Sequence, residues 1–528
     1  MRNIFQVAKR IQSLKSSSKK ENQKEQNNAR LIEKKIEINS RELHRVFKKS
    51  VDVKYRNLEV YDKTPVKVFI SFINGLVNEE YINLHIMKPL MEPGFFKETE
   101  KMISTDFFTN VKNKILSTSN MKEVNTIDDV IDGVLSGETV IFIDGYKSAF
   151  LVSTQGFESR SVEEPQTEAN VRGPREGFNE VLKVNTTLIR RKIKNSNLAF
   201  EDIKIGKQTK TNIRISYIEG IANSEVVEEV KNRLKRIDTD TILESGYIEQ
   251  FIEDHPFSPF PTIGNSEKPD KVSAKILEGR IAIFCDGTPF VLTVPQVLIE
   301  TFQVPEDYYS RPYLASVLRL LRLLALFLTV YTPAIYVSIA TFHHEMVPAQ
   351  LLTTMVASAE KVPFPTFLEA LIMIITFQLL SEAGVRMPRP IGSAISIVGA
   401  LVIGEAAVAA GLVSAPMVIV VALTAITGFV VPSLNDSIIL SRFFLLFLSA
   451  GLGFYGMLTG TVILVAHLCS LRSFGTPYLS PMGPIFLSEL KDSIIRMPLW
   501  LLQSRPQSIN WKKSVRQGSQ NKPKHPKT

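Results

Sequence analysis

The chain has 528 residues, 45% of them hydrophobic, with 62 Lys and Arg against 53 Asp and Glu and only two cysteines. Cys285 and Cys469 cannot build a disulfide framework or a thiol metal site. The net charge of +9 comes without a recognition motif or aromatic platform, which argues against nucleic acid as a partner.

Residues 1–50 are rich in Lys, Gln, Asn, Ser and Glu. They bury too little apolar surface to offset ordering entropy, so a flexible basic arm is expected, with at most a short helix near 31–47. The N-terminus lacks the pattern of a secretory signal, and the polar half that follows is expected to stay in the cytoplasm.

From residue 58 onward the sequence repeats itself. Val68-Phe-Ile-Ser-Phe-Ile-Asn-Gly is echoed by Ile213-Arg-Ile-Ser-Tyr-Ile-Glu-Gly, and Gly137-Glu-Thr-Val-Ile-Phe-Ile-Asp-Gly by Gly279-Arg-Ile-Ala-Ile-Phe-Cys-Asp-Gly. The second pair places β-rich runs on either side of an Asp-Gly turn, where glycine accepts the positive φ of a hairpin. The two echoes recur at about 145 residues, the size of a small domain. Two related α/β lobes, 58–157 and 198–304, are therefore predicted as an internal duplication.

Residues 158–197 read as a charged hinge and connecting helix. Glu164, Glu168, Arg172, Arg175 and Glu176 alternate in sign around the rigid Gly173-Pro174 corner. Guanidinium forks suit bidentate pairing with carboxylates. Such a network either transmits a change between lobes or simply fixes a linker.

Several motifs are similar to one family. Glu164-Pro-Gln-Thr-Glu168, Val171-Arg-Gly-Pro-Arg-Glu-Gly-Phe178 and Asn185-Thr-Thr-Leu-Ile-Arg-Arg191 closely resemble the signature of A subunits of GerA-type bacterial spore germinant receptors. The likeness continues through Ser258-Pro-Phe-Pro-Thr262, Asp286-Gly-Thr-Pro289, Asp307-Tyr-Tyr309, Arg386-Met-Pro-Arg-Pro390, Gly404-Glu-Ala-Ala407 and Phe474-Gly-Thr-Pro-Tyr-Leu-Ser-Pro481. The resemblance implies a subunit of a nutrient receptor in the spore inner membrane, beside a transporter-like B subunit and a lipoprotein C subunit. It further implies a homo-oligomer of A subunits around an ion-conducting path that opens when nutrient binds the B subunit. A non-conducting scaffold, or a paralogue accompanying the spore dipicolinate-release channel, would carry the same signature.

Residues 312–471 are expected to form a polytopic α-helical membrane domain, so the chain as a whole reads as a two-lobed cytoplasmic α/β domain followed by a multi-pass helical one. Apolar runs lie at 320–342, 365–384, 391–411, 413–431 and 438–471, and about 20 apolar residues suffice to cross a bilayer. Arg311, Arg319 and Arg322 predict entry from the cytoplasm. The basic tail 472–528, attracted to anionic lipid, predicts a cytoplasmic end and an even number of crossings. Five runs are odd, so 365–384, which follows Pro363 and carries Glu369 and Glu382, is expected to lie in the interface or turn back. The run 438–471 is long for one span, and Gly451, Gly453, Gly456 and Gly460 allow a bend or close helix contact.

Four carboxylates stand out in this block: Glu345, Glu369, Glu382 and Glu405. A lipid-facing charge costs at least ~2.5–3.5 kcal/mol, so Glu405, inside Gly404-Glu-Ala-Ala-Val-Ala-Ala, is expected to face a pore, a partner helix or a proton. His343-His344-Glu345 is expected to form a wet interfacial patch, with no third metal ligand in view. A phosphate loop, nucleophile elbow and metalloprotease helix are all missing from the sequence, so neither enzyme activity nor a cofactor is expected.

Overall fold

The computed structural model describes residues 30–61, 65–91, 108, 121–156, 165, 168, 172–386, 404–486, 489–509, 515–518 and 521–523. Lobe one opens with helix α1 (Ile36–Val46) and continues with strands β1 (Val53–Tyr61), β2 (Pro65–Ile73), β3 (Met121–Val124), β4 (Glu138–Ile143) and β5 (Ala149–Ser153). These strands form one antiparallel sheet in the order β1-β2-β4-β5-β3. α1 and α2 (Ile127–Leu135) cover one face through Ile36, Leu43, Val130 and Val134. A helical segment, 79–91, covers the other through Ile82, Ile86 and Leu90. Both faces are thus buried, which is why β2 and β4 are nearly continuous Val, Ile and Phe.

Lobe two repeats this plan after α3 (Leu182–Lys192). Strands β6 (Leu198–Ile205), β7 (Thr211–Ile218), β8 (Gly264–Ser266), β9 (Ile281–Cys285) and β10 (Val291–Val294) take the order β6-β7-β9-β10-β8. α4 (Ser224–Arg236) lies on one face, and α3 with α5 (Pro269–Leu277) on the other. The expected duplication is therefore present strand for strand.

The repeat also reaches into the span expected to be a flexible arm. Ile32, Ile36, Leu43 and Phe47 are buried in lobe one as Phe178, Leu182, Ile189 and Ile193 are in lobe two. Each Asp-Gly turn accepts the first amide of its lobe's leading helix: Asp144 from Ile36 at 3.1 Å and Asp286 from Leu182 at 3.2 Å. The short helix expected near 31–47 is present as α1, but averaged composition hides its place in the core, because its four core residues are scattered among many polar ones. Lobe one accordingly begins near residue 30 rather than 58.

The helical domain follows as α6 (Pro312–Thr341), α7 (Ala349–Ala359), α8 (Thr366–Arg386), α9 (Ala415–Gly428) and α10 (Asn435–Ser470). α6, α8 and α10 are long and apolar enough to cross a membrane. α8 covers the run 365–384 and by length and composition alone is one of these three.

α10 is not one straight helix. Gly453 has φ 59° and ψ −137°, and there the chain folds back. A Cβ at Gly460 would lie 2.6 Å from Leu445 Cδ2, so the second leg runs against the first. Both feet of the hairpin stand on lobe two: the Ser437 hydroxyl donates to the Pro259 carbonyl at 2.5 Å, and His467 Nε2 meets the Ser258 hydroxyl at 2.9 Å. Each leg is about 26 Å long at 1.5 Å per residue, against roughly 30 Å of hydrocarbon. Doubling the last run changes the parity of the count by itself; the expected run 391–411 lies outside the described residues up to residue 403.

Candidate functional site

The linker residues separate into two anchors, both on lobe two. Glu168 pairs with Lys271 at 2.5 Å and accepts from the Ser266 hydroxyl at 2.6 Å and the Glu267 amide at 3.2 Å. Burial pushes this carboxyl up, but Lys271, Ser266 and Lys268 outweigh it and hold it below the ordinary carboxylate range. Glu176 pairs with Arg191 at 3.2 Å and Lys192 at 3.3 Å on α3. The Arg172 amide donates to Glu306 at 3.2 Å, just before α6. Gly173 takes φ 135°, which relieves the Gly173-Pro174 corner of Cβ strain, while Arg175 is exposed. Glu164 lies outside the described residues.

Among the contacts that join the lobes is a buried ion pair that the sequence reading missed. Arg190 of α3, 1% exposed, forms a bidentate pair with Asp52 (2.9 and 3.0 Å) and donates to the Leu198 carbonyl at 3.2 Å. Its position in the Asn185–Arg191 motif was the available signal, but its partner lies 138 residues away. Beside it, a cleft of about 470 Å³ runs between lobe one and α3, lined by Asn78, Glu79, Lys183, Thr187 and Arg191.

A second buried cluster roots the helical domain. Asp307, 1% exposed, accepts from Arg319 at 2.9 Å and from both arms of Arg322 at 2.9 and 3.0 Å. Arg319 also donates to Asp492 at 3.0 Å, so the segment after the last helix is bound to the start of the first. Two of the arginines read as topology signals are therefore structural. Next to this cluster, Arg280 and Lys275 clasp Glu300, all three buried. Burial pushes the Lys275 ammonium down to about 8 against the pull of Glu300. The chain after residue 471 is no solvated tail here: Ser473 donates to the Thr262 carbonyl at 2.6 Å, and Tyr478 is fully buried.

The four membrane-block carboxylates are not brought together. Glu369, 3% exposed on α8, accepts from the Ser414 amide at 2.5 Å and its hydroxyl at 2.6 Å, which ties the starts of α8 and α9. Glu382 is exposed and pairs with Arg386 one turn on, at 2.6 Å. Glu345 is exposed in the turn between α6 and α7. Glu405 is exposed on a short helical stretch, 404–409, and makes no hydrogen bond or ion pair among the described residues. The His343 ring packs edge-on against Phe454 at 4.8 Å, beside the hairpin tip, and no group of metal-ligating residues forms among the described residues.

Residues 41–508 match the family model described as Bacillus/Clostridium GerA spore germination protein. The chain is 44% identical to spore germination protein KA of Bacillus subtilis (strain 168), over 95% of this chain and 91% of that protein. It is 37% identical to spore germination protein GerLA of Bacillus cereus, over 84% and 90% respectively. Among solved structures, the N-terminal domain of the A subunit of the Bacillus megaterium spore germinant receptor GerK3 matches at 32% identity and TM-score 0.41, covering 51% of this chain and 97% of that one.

Proposed function

The chain belongs to the GerA spore germination protein family, the A subunits of germinant receptors, and from that premise we propose that it forms an oligomeric, nutrient-gated cation channel. In this reading the chain sits in the spore inner membrane with both lobes in the cytoplasm. A transporter-like B subunit binds the nutrient, a lipoprotein C subunit completes the complex, and no step is enzymatic.

The observation that carries the proposal is Glu405. It stands exposed and unpartnered among the described residues, in a stretch flanked by Gly404, Ala406 and Ala407. A carboxylate left facing lipid is unfavourable, so its partner is water in a conducting path or a neighbouring subunit. Rings of carboxylates attract cations at pore mouths. Nutrient binding shifts the closed-to-open balance only by its differential affinity for the two states. The rooted contacts of Asp307, Arg319 and Asp492 give the lobes a rigid lever on the first helix.

The competing reading is a non-conducting scaffold. It is favoured by Glu369 and Glu382, both of which are satisfied within one chain. Ion flux through the complex reconstituted in liposomes, with and without nutrient and with Glu405→Ala, decides between them. Nutrient-dependent cation flux that drops in the variant supports the channel. Correctly assembled complex without flux under any nutrient supports the scaffold, and unchanged flux in the variant removes Glu405 from the path.

A further inference from the structure

At the root of the helical domain, a cavity of about 230 Å³ lies between lobe two, the linker and the turn that precedes α10. Lys268, Lys271 and Lys275, spaced i, i+3 and i+7, present one face of α5 to it. Lys271 is matched by Glu168, and Lys275 by Glu300 at 3.1 Å together with Thr293 and Gln296. Lys268 is different. It is 2% exposed, it lines the cavity, and its ammonium has no hydrogen-bond or ion-pair partner among the described residues.

The carboxylates nearest to Lys268 in charge terms are occupied elsewhere. Asp270 accepts from the Tyr309 hydroxyl at 2.6 Å, Glu306 from the Arg172 amide at 3.2 Å, and Glu168 from Lys271. Lys268, at the N-cap of α5, makes no side-chain cap, and the first turn is capped by Asp270, which accepts the Lys271 amide at 2.9 Å. A buried ammonium with no direct partner is unfavourable, and an anion in the cavity removes the penalty.

We propose that this cavity binds a phosphate-bearing anion, with Lys268 as its principal contact and Lys271 in support. Phosphate is favoured over carboxylate because the unengaged donor is an ammonium, which serves phosphate as a point charge. The guanidinium forks nearby, Arg280 and Arg322, are already committed to Glu300 and Asp307. Pro432 and Ser433, from the turn before α10, also line the cavity. The phosphate is therefore either free in solution or the headgroup of an anionic phospholipid. Bound there, it would bridge the linker, lobe two and the helical domain.

The test uses the full-length protein in detergent. Inorganic phosphate is titrated calorimetrically at constant ionic strength, and in a second arm the protein is passed through vesicles of phosphatidylglycerol in phosphatidylcholine and its retained lipid measured by native mass spectrometry. Saturable binding in either arm is expected, and the arm that responds identifies the source. Lys268→Met is expected to weaken that binding by about tenfold or more, while Lys268→Arg retains most of it. Glu168→Gln frees Lys271 and is expected to tighten binding, which keeps the proposal testable if Lys268→Met does not fold. Absence of saturable binding in both arms, equal affinity in Lys268→Met, or no tightening in Glu168→Gln overturns it.

Discussion

Asn39 and Asn185 make the same clamp in the two lobes. The Asn39 side chain accepts from the Glu33 amide at 3.0 Å and donates to the Glu33 carbonyl at 2.7 Å, and Asn185 does the same with Asn179 at 2.8 and 2.6 Å. Both are buried, and each closes the loop that leads into the first helix of its lobe. The duplication thus preserves a polar contact as well as a strand order. Replacing either by Ala strands two backbone groups away from water, at about 1–3 kcal/mol. Thermal unfolding of Asn39→Ala and Asn185→Ala should show comparable losses. If Asn39→Ala is silent, residues 30–50 are not integral to lobe one.

Arg190 and Asp52 set the relation between the lobes. Removing one partner of a buried ion pair leaves the other uncompensated, so Asp52→Ala is expected to cost about 3–5 kcal/mol, whereas the double variant Asp52→Leu/Arg190→Met costs distinctly less. Denaturant titration of both variants checks the ordering. Equal losses would mean that the pair contributes by packing alone.

Glu249, on the surface helix Ser245–Ile252 of lobe two, carries a pH signature. Burial, with Glu253 and Glu244 adding like charge, pushes its carboxyl from the ordinary 4.5 up to about 7. A carboxyl that holds its proton more tightly when folded contributes stability that is full below its unfolded value and is lost as pH rises to about 7. Glu249→Gln should therefore be more stable than the parent above pH 7, by on the order of 1–2 kcal/mol after solvent screening, and should lose the slope between 4.5 and 7. Melting temperatures across that range are the measurement, and an unchanged slope contradicts the assignment.

Gly453 makes the hairpin of α10 possible. A Cβ there would sit 2.8 Å from His343 Cε1 and 3.1 Å from Phe342 Cβ, in a backbone conformation that other residues adopt at a cost of roughly 1–3 kcal/mol. Gly453→Ala should lower the thermal stability of the detergent-solubilised protein, whereas Gly451→Ala, with open space around its Cβ position, should not. Equal behaviour of the two would remove the special role of the turn.

What the sequence determined by itself was whatever is written locally or by repetition. Apolar runs marked the helical domain, because a helix satisfies its own backbone groups and about 20 apolar side chains suffice to cross a bilayer. The paired echoes at 68 and 213 and at 137 and 279 gave the two lobes, because equal strand and turn patterns fold into equal sheets. The same repeat, followed back from Leu182 to Ile36, would have placed the short helix of the basic arm in the core of lobe one.

Tertiary structure decided what depends on distant partners. Glu369 and Glu405 look alike in sequence, yet one is sealed against Ser414 and the other stands open. Arg190 reads as one more basic residue until Asp52 is placed beside it, and Lys268 as one of three lysines until its neighbours are paired off. Each outcome turns on which charges the fold leaves unmatched. That is a property of contacts across the chain, and no local pattern of residues contains it.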